Sequence, residues 1–224
     1  MPFCWILLIC LSMRFLQKLL KLKKRWRGMR MFLYSVGYTA FKLYFKLAYK
    51  FKINGQNNIP ENGPFVVMAN HITLFDPPIV ACSLERRKTV HFMAKQELFK
   101  NPLFGYILKK VGAFPVKRGR ADKGAIRKAF NILENRGVLG IFPEGSRQKP
   151  GKLGRAKSGS VMIPIKMKVP ILPMSIKIEK REIAVSIGKL FELDKYYNRK
   201  VPRNELKEAG DIIMEKINQQ LLLS

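Results

Sequence analysis

Residues 65–78 read Phe65-Val66-Val67-Met68-Ala69-Asn70-His71-Ile72-Thr73-Leu74-Phe75-Asp76-Pro77-Pro78. Five consecutive apolar residues bounded by polar ones have the pattern of a strand buried on both faces, which places them inside an α/β sheet. At its end stands one of only two histidines in the chain, with a carboxylate five residues further on. A turn through Ile72 to Phe75 can fold Asp76 back onto one imidazole nitrogen and leave the other free to take a proton. The same residues also fit a helix start. Asp76 would then be an N-cap before Pro77 at the first helical position, with His71 a loop histidine satisfied by backbone. The pair alone leaves both readings open.

Outward from this stretch, short apolar runs alternate with helical patterns, the signature of a compact α/β domain. Strands are expected near 51–56, 65–69, 90–94, 112–116, 138–142, 170–177 and 183–189. Helices are expected near 77–87, 101–110, 121–136, 155–163 and 203–222. The turn-rich segment Gln56 to Gly63 joins this domain to what precedes it. No internal repeat or low-complexity tract interrupts the pattern.

The chain has 224 residues, 47% of them hydrophobic, which suits one domain with a real core plus an appendage. Its 43 basic residues against 15 acidic give a formal charge of +28. Such an excess calls for an anionic partner, whether membrane lipid, nucleic acid or a phosphorylated substrate. The three cysteines, Cys4, Cys10 and Cys82, are odd in number and lack metal-ligand spacing, consistent with a reducing compartment.

The N-terminal region narrows the choice of partner. Residues 2–13 are almost wholly apolar, yet twelve residues are too few to span a bilayer comfortably, since a transmembrane helix needs about 20. No basic residue precedes the run and no small-residue cleavage pattern follows it, unlike a secretory signal. Leu11, Phe15, Leu19, Leu22 and Trp26 then recur at helical spacing beside a basic stripe of Arg14, Lys18, Lys21 and Arg25, an amphipathic helix suited to a bilayer interface. A second helix is expected over Met29 to Lys50, where Lys42, Lys46 and Lys50 alternate with Phe41, Tyr44, Phe45 and Tyr49. Twelve basic residues precede the first acid, Glu61. At about 1 kcal/mol per basic residue near an anionic surface, this segment is expected to hold the chain on a phospholipid membrane. A nucleic-acid-binding arm would not need the large apolar faces behind the charge. The expected organisation is therefore 1–52 as membrane-associated helices, with 1–28 an extension, and 53–224 as the α/β domain.

Two further stretches end apolar runs. Gly112-Ala113-Phe114-Pro115-Val116-Lys117-Arg118-Gly119 closes on two cations and a glycine, a setting for a phosphate or for a solvated basic turn. Gly140-Ile141-Phe142-Pro143-Glu144-Gly145-Ser146-Arg147 carries a carboxylate into a region with no other acid before Ile178. Glu144 reads either as partner to a nearby cation or as an organiser of a substrate site.

In this order and at these separations, the three stretches resemble the glycerolipid acyltransferases, specifically the 1-acylglycerol-3-phosphate acyltransferases. Asn70, His71, Thr73 and Asp76 match the family's Asn-His-x-Ser/Thr-x-x-Asp (HX4D) motif. Phe114 to Gly119 match the second motif and Phe142 to Arg147 the third, with Ser146 where many members have threonine. Val169-Pro170-Ile171-Leu172-Pro173 is similar to the fourth. The resemblance covers about Met29 to Lys189.

It implies an α/β fold with a mixed central sheet flanked by helices. It also implies phospholipid biosynthesis by transfer of an acyl chain from a coenzyme A or acyl carrier protein thioester to the 2-hydroxyl of lysophosphatidic acid, giving phosphatidic acid. His71 would be the base and Asp76 its orienter. Lys117, Arg118 and Arg147 would hold the acceptor phosphate, and Asn70, Thr73, Glu144, Gly145 and Ser146 would help form the substrate site. The implied partners are the anionic phospholipid membrane, the lysophospholipid and the thioester donor, with no nucleic acid, no metal and no cofactor, and the location is the cytoplasmic face of the membrane. Other acceptors would use the same base: glycerol 3-phosphate, another lysophospholipid or a lyso-aminolipid. A thioesterase would admit water instead, and a non-catalytic basic membrane-binding protein would have no use for the pair. Cys82 lacks a neighbouring base, Ser146 lacks a Gly-x-Ser-x-Gly elbow, and His91 at the start of a strand reads as structural.

Overall fold

A computed structural model describes residues 33–84, 88–117 and 122–223. The chain forms a seven-stranded sheet with helices on both faces, so the expected mixed sheet flanked by helices is what the protein has. In chain order the elements are α1 (33–48), β1 (Lys50–Asn54), β2 (Phe65–Ala69), α2 (Asp76–Ser83), β3 (Val90–Lys95), α3 (Pro102–Lys110), β4 (Phe114–Val116), α4 (Lys123–Glu134), β5 (Val138–Ile141), α5 (Ser158–Met167), β6 (Ile171–Glu179), β7 (Glu182–Ile187) and α6 (Arg203–Leu222). The expected amphipathic helix around residues 11–26 and the apolar run 2–13 lie outside the described residues.

The strand order is β1-β7-β6-β2-β5-β3-β4. Every neighbouring pair is parallel except β6 and β7, an antiparallel hairpin. β2 is central, paired with β6 on one side and β5 on the other, and all five of its side chains are buried. Its unbroken apolar sequence follows from burial on both faces. β1 pairs with β7 from Lys50 onward, so the sheet runs across the boundary expected at residue 52.

Each helix end has a local cause. Asn101 caps α3, its side chain accepting from Phe104 N at 2.9 Å, with Pro102 at the first helical position. Asp122 caps α4 by accepting from Ala125 N at 3.0 Å, which starts that helix at Lys123 rather than 121. α5 begins at Ser158, three residues later than the sequence implies, and runs through Pro164 to Met167 before Lys168 turns left-handed at φ 51°. α2 begins at Asp76 with Phe75 as its N-cap, and it ends at Ser83.

Two cores result. α4, α5 and α6 cover one face; α6 contributes Leu206, Ala209, Gly210, Ile213, Met214 and Ile217, a helical stripe laid against β6 and α5. α1 and α2 cover the other face. Tyr38 and Phe45 of α1 pack with Ile79, Val80 and Cys82 of α2 and with inward residues of β2, β6 and β7. Hydrogen bonds secure α1: Tyr34 donates its hydroxyl to Lys88 O at 3.2 Å and Tyr38 to Leu84 O at 3.3 Å. Among the described residues, no helix is long and apolar enough to cross a membrane.

Because Phe45 is almost fully buried and its ring meets those of Phe41, Tyr44, Phe51 and Phe75, α1 is part of the folded unit. Phe45→Ala is expected to lower unfolding stability by about 3–5 kcal/mol, measured by urea denaturation. A loss below about 1 kcal/mol would show that α1 is dispensable to the fold.

Candidate active site

β2 ends at Ala69, and the next seven residues build the site at the C-terminal edge of the sheet, where ligands bind in open α/β folds. Asn70 closes the strand. Its side chain donates from Nδ2 to Ile176 O at 2.8 Å and accepts from Ile176 N at 2.7 Å, completing the pairing with β6. Expected at the substrate, Asn70 is instead buried with both ends of its amide on the backbone of β6.

His71 follows, and its Nδ1 lies 2.6 Å from Asp76 Oδ2. Asp76 has no exposed surface, and its carboxylate also accepts from Ile72 N (2.6 Å), Thr73 N (2.8 Å) and Thr73 Oγ1 (2.7 Å). Thr73 also differs from expectation, since its hydroxyl is committed to Asp76 and to Phe75 N at 3.1 Å rather than to substrate. The N-cap reading of Asp76 fails for the same reason: the carboxylate faces back into the loop and makes no cap bond to α2. A carboxylate only accepts, so Nδ1 carries the imidazole proton and Nε2 is the basic nitrogen, with no hydrogen bond to any described residue.

The imidazole is held by its face as well. It stacks on Phe142 at 4.3 Å between ring centroids and 17° between planes, and Phe142 stacks on Phe92 at 5.6 Å and 13°. Gly140 makes room for that stack: a Cβ there would lie 2.2 Å from Phe92 Cε1. Phe92 carries no signal in the sequence, because it reads as one more apolar strand residue.

Glu144 is buried and pairs with no Lys or Arg among the described residues, contrary to one of its two expected readings. Oε2 accepts from His71 N at 2.9 Å and Oε1 from Gly154 N at 2.7 Å. Gln148 N donates to His71 O at 2.7 Å. The segment after β5 is thereby fastened to both sides of the His71 peptide. Burial raises the Glu144 pKa above the ordinary carboxylate range, opposed by the two backbone N–H donors. Gly145 turns this segment at φ 71°, a left-handed conformation that suits glycine.

Ser146 and Arg147 are exposed on the same segment, and Arg147 directly precedes the residue bonded to His71 O. Lys117 is exposed just beyond β4, and its backbone N donates to Asp122 Oδ2 at 2.9 Å. Extending the β2–β5–β3–β4 register puts Lys117 level with His71 but three strands away, about 14 Å at the usual inter-strand spacing. Arg118 lies outside the described residues. Cys82 is buried in α2, which pushes its thiol up to about 12 and leaves it no thiolate character near neutrality. His91 Nδ1 bonds Gly112 O at 3.0 Å, a structural contact. Among the described residues, no three His, Cys, Asp or Glu side chains are grouped to hold a metal.

A buried carboxylate that orients a histidine, at the edge of a doubly covered α/β sheet, defines an enzyme site of the base-assisted class. Comparison with known proteins names the family. The model of the family described as Acyltransferase matches residues 50–177. The 1-acyl-sn-glycerol-3-phosphate acyltransferase of Bacillus subtilis (strain 168) is 30% identical over 141 residues, which cover 63% of this chain and 69% of that protein. The enzyme of the same name from Streptococcus pneumoniae is 30% identical over 156 residues, 68% of this chain and 57% of that one. A chloroplastic relative from Arabidopsis thaliana is 29% identical over 131 residues, but only 36% of its length is spanned. The crystal structure of the 1-acyl-sn-glycerophosphate acyltransferase PlsC from Thermotoga maritima is similar with a TM-score of 0.67 and 25% identity, covering 85% of this chain and 80% of that one. The chain belongs to the acyltransferase family and is an acyltransferase.

Glu144→Gln tests the clamp on His71. An amide can accept from only one of the two backbone donors and turns its own NH2 toward the other, at a cost of about 1–3 kcal/mol in stability. Because the folded protein holds the Glu144 proton more tightly than the unfolded chain does, this group favours folding most at low pH. That contribution declines as pH rises from about 4.3, the unperturbed glutamate value, through the raised one. Urea midpoints measured against pH are expected to lose this slope in the variant, and kcat is expected to fall; an unchanged slope and unchanged kcat would remove Glu144 from the support of His71.

Proposed function

We propose that the protein transfers a fatty acyl chain from a coenzyme A or acyl carrier protein thioester to the 2-hydroxyl of 1-acyl-sn-glycerol 3-phosphate, giving phosphatidic acid. The reading rests on the His71–Asp76 pair, with Nε2 as the free base, in a chain whose relatives carry that activity in their names. Nε2 removes the hydroxyl proton as the oxygen attacks the thioester carbonyl. The tetrahedral intermediate then collapses, the C–S bond breaks, and the proton passes from the imidazolium to the departing thiolate. Asp76 keeps the proton on Nδ1 and stabilises the imidazolium as it forms. No acyl-enzyme is required.

Arg147, Lys117 and Arg118 are the candidates for the acceptor phosphate. Arg147 is nearest in sequence to the clamp on His71, whereas Lys117, about 14 Å away across three strands, assists only with its side chain extended. The reaction belongs on an anionic membrane, at the cytoplasmic face where the thioester donors are available. The N-terminal region through α1 supplies the lipid-facing segment and the sheet domain from β1 onward the chemistry. α1 serves both: Tyr38 and Phe45 are in the core, while Val36, Leu43 and Leu47 form an exposed apolar stripe on its other side. A helix that is apolar on both sides needs cover beyond the protein's own core.

With thioester donor and lysophosphatidic acid, phosphatidic acid is the expected product. Free fatty acid formed at the same rate with or without acceptor would make the protein a thioesterase. Asp76→Asn, which leaves His71 in the wrong tautomer, and His71→Ala are each expected to lower kcat by about 100- to 10,000-fold with vesicle binding retained. Loss of the Arg147 guanidinium in Arg147→Ala is expected to raise the acceptor KM about 10- to 100-fold, the worth of a charge-assisted hydrogen bond, and to leave the donor KM unchanged. An unchanged acceptor KM would assign the phosphate to other cations.

A further inference from the structure

α3 is turned inside out for a helix of a water-soluble domain. Of its nine residues only Gly105 is buried, lying against the backbone of Phe99, where a Cβ would approach Phe99 O to 2.8 Å. Leu103, Tyr106 and Ile107 share its outer face at helical spacing and are exposed, Leu103 by 71%; Phe104 beside them is exposed as well. α4 shows the ordinary arrangement, burying Ala125, Ala129, Ile132 and Leu133. The apolar face of α3 is flanked by Lys100, Lys109 and Lys110, and the helix contains no acid. Lys110 Nζ lies 5.0 Å from the centre of the Tyr106 ring, leaving an aromatic and its cation together at the surface.

This face does not stand alone. Among the described residues, twelve of the sixteen exposed large hydrophobic side chains lie on α1, on the His71–Asp76 loop (Leu74 and Phe75), or between Leu98 and Ile107. α1 connects the three regions. Its Gly37 lies beside Val111 at the end of α3, and its Tyr44 ring meets that of Phe75 at 6.2 Å. The apolar side chains with lysines at the margin match the depth profile of a bilayer interface, where apolar groups enter the acyl boundary and ammonium groups reach the headgroups.

We propose that α3 is a second membrane-docking element, separate from the N-terminal helices, which seats Leu103, Tyr106 and Ile107 in the interface of an anionic phospholipid leaflet. The attachments through α1 and α3 together set the orientation of the molecule and turn the His71 loop toward lipid-borne acceptor. The inference rests on the membrane reading of the function, but its test does not require activity.

The full chain is assayed for flotation with phosphatidylcholine vesicles with and without phosphatidylglycerol. Leu103→Glu/Ile107→Glu is expected to weaken binding by about tenfold or more, because two large apolar side chains no longer enter the interface. Lys109→Gln is expected to reduce the preference for phosphatidylglycerol about fivefold. With a short-chain lysophosphatidic acid dissolved as monomer, the double variant is expected to keep its rate within about twofold of the parent, while the rate on vesicle-embedded acceptor falls with binding. Unchanged flotation overturns the proposal. So does loss of activity on the monomeric acceptor, which would make α3 part of the catalytic unit, or a fall in molecular mass on substitution, which would make its face a contact between copies. A parent protein inactive on every lysophosphatidic acid would overturn the proposed reaction and leave the flotation result to decide α3.

Discussion

A carboxylate with no exposed surface is costly unless every face of it is hydrogen-bonded, and Asp76 has that company: two backbone N–H groups, a threonine hydroxyl and the imidazole of His71. Meeting this demand shapes the loop between β2 and α2. It bends residues 71–73 around one point, and it commits the Asp76 side chain to the loop although the residue opens α2. The positioning of His71 is thus a by-product of solvating a buried carboxylate with protein groups.

The second buried carboxylate, Glu144, repeats this principle one strand away. By bridging His71 N and Gly154 N it joins the loop after β2 to the long segment after β5. His71 is therefore gripped at its ring nitrogen, its ring face, its backbone N–H and its backbone carbonyl by groups that follow two neighbouring strands, β2 and β5. Phe142 and Glu144, two residues apart, supply two of the four contacts. A Phe-Pro-Glu sequence after a buried strand thus acts chiefly on the histidine, and the Arg147 that follows is exposed.

The same economy governs the outside of the molecule. α1 completes the core over one face of the sheet with Tyr38 and Phe45, and it turns a second apolar stripe outward. Phe75, in the loop between β2 and α2, meets both Tyr44 and Phe45 of that helix. Anything that seats α1 at an interface therefore acts within one ring contact of the loop that carries His71.

The sequence by itself determined the sheet and singled out the titratable residues at its edge. Central strands such as β2 and β5 are apolar without interruption and edge strands such as β1 alternate, so all seven could be read within two or three residues, and His71 with Asp76 stood out because titratable residues are rare beside such runs. Helix starts were less legible, because Asp76 before proline satisfies the rules for a cap and for a buried partner equally, and only the fold of the loop decides which it is. The roles of Asn70, Thr73 and Glu144 were likewise beyond sequence. A polar side chain beside a histidine reads as a substrate contact until its hydrogen-bond partners are known; strand order brings Ile176 to Asn70 across 106 residues, and loop conformation brings Asp76 to Thr73 and Gly154 to Glu144. Tertiary structure also decided which apolar residues lack cover. Leu103 and Leu133 are indistinguishable as letters on amphipathic helices, and only the packing of each helix against the sheet turns one outward and the other into the core.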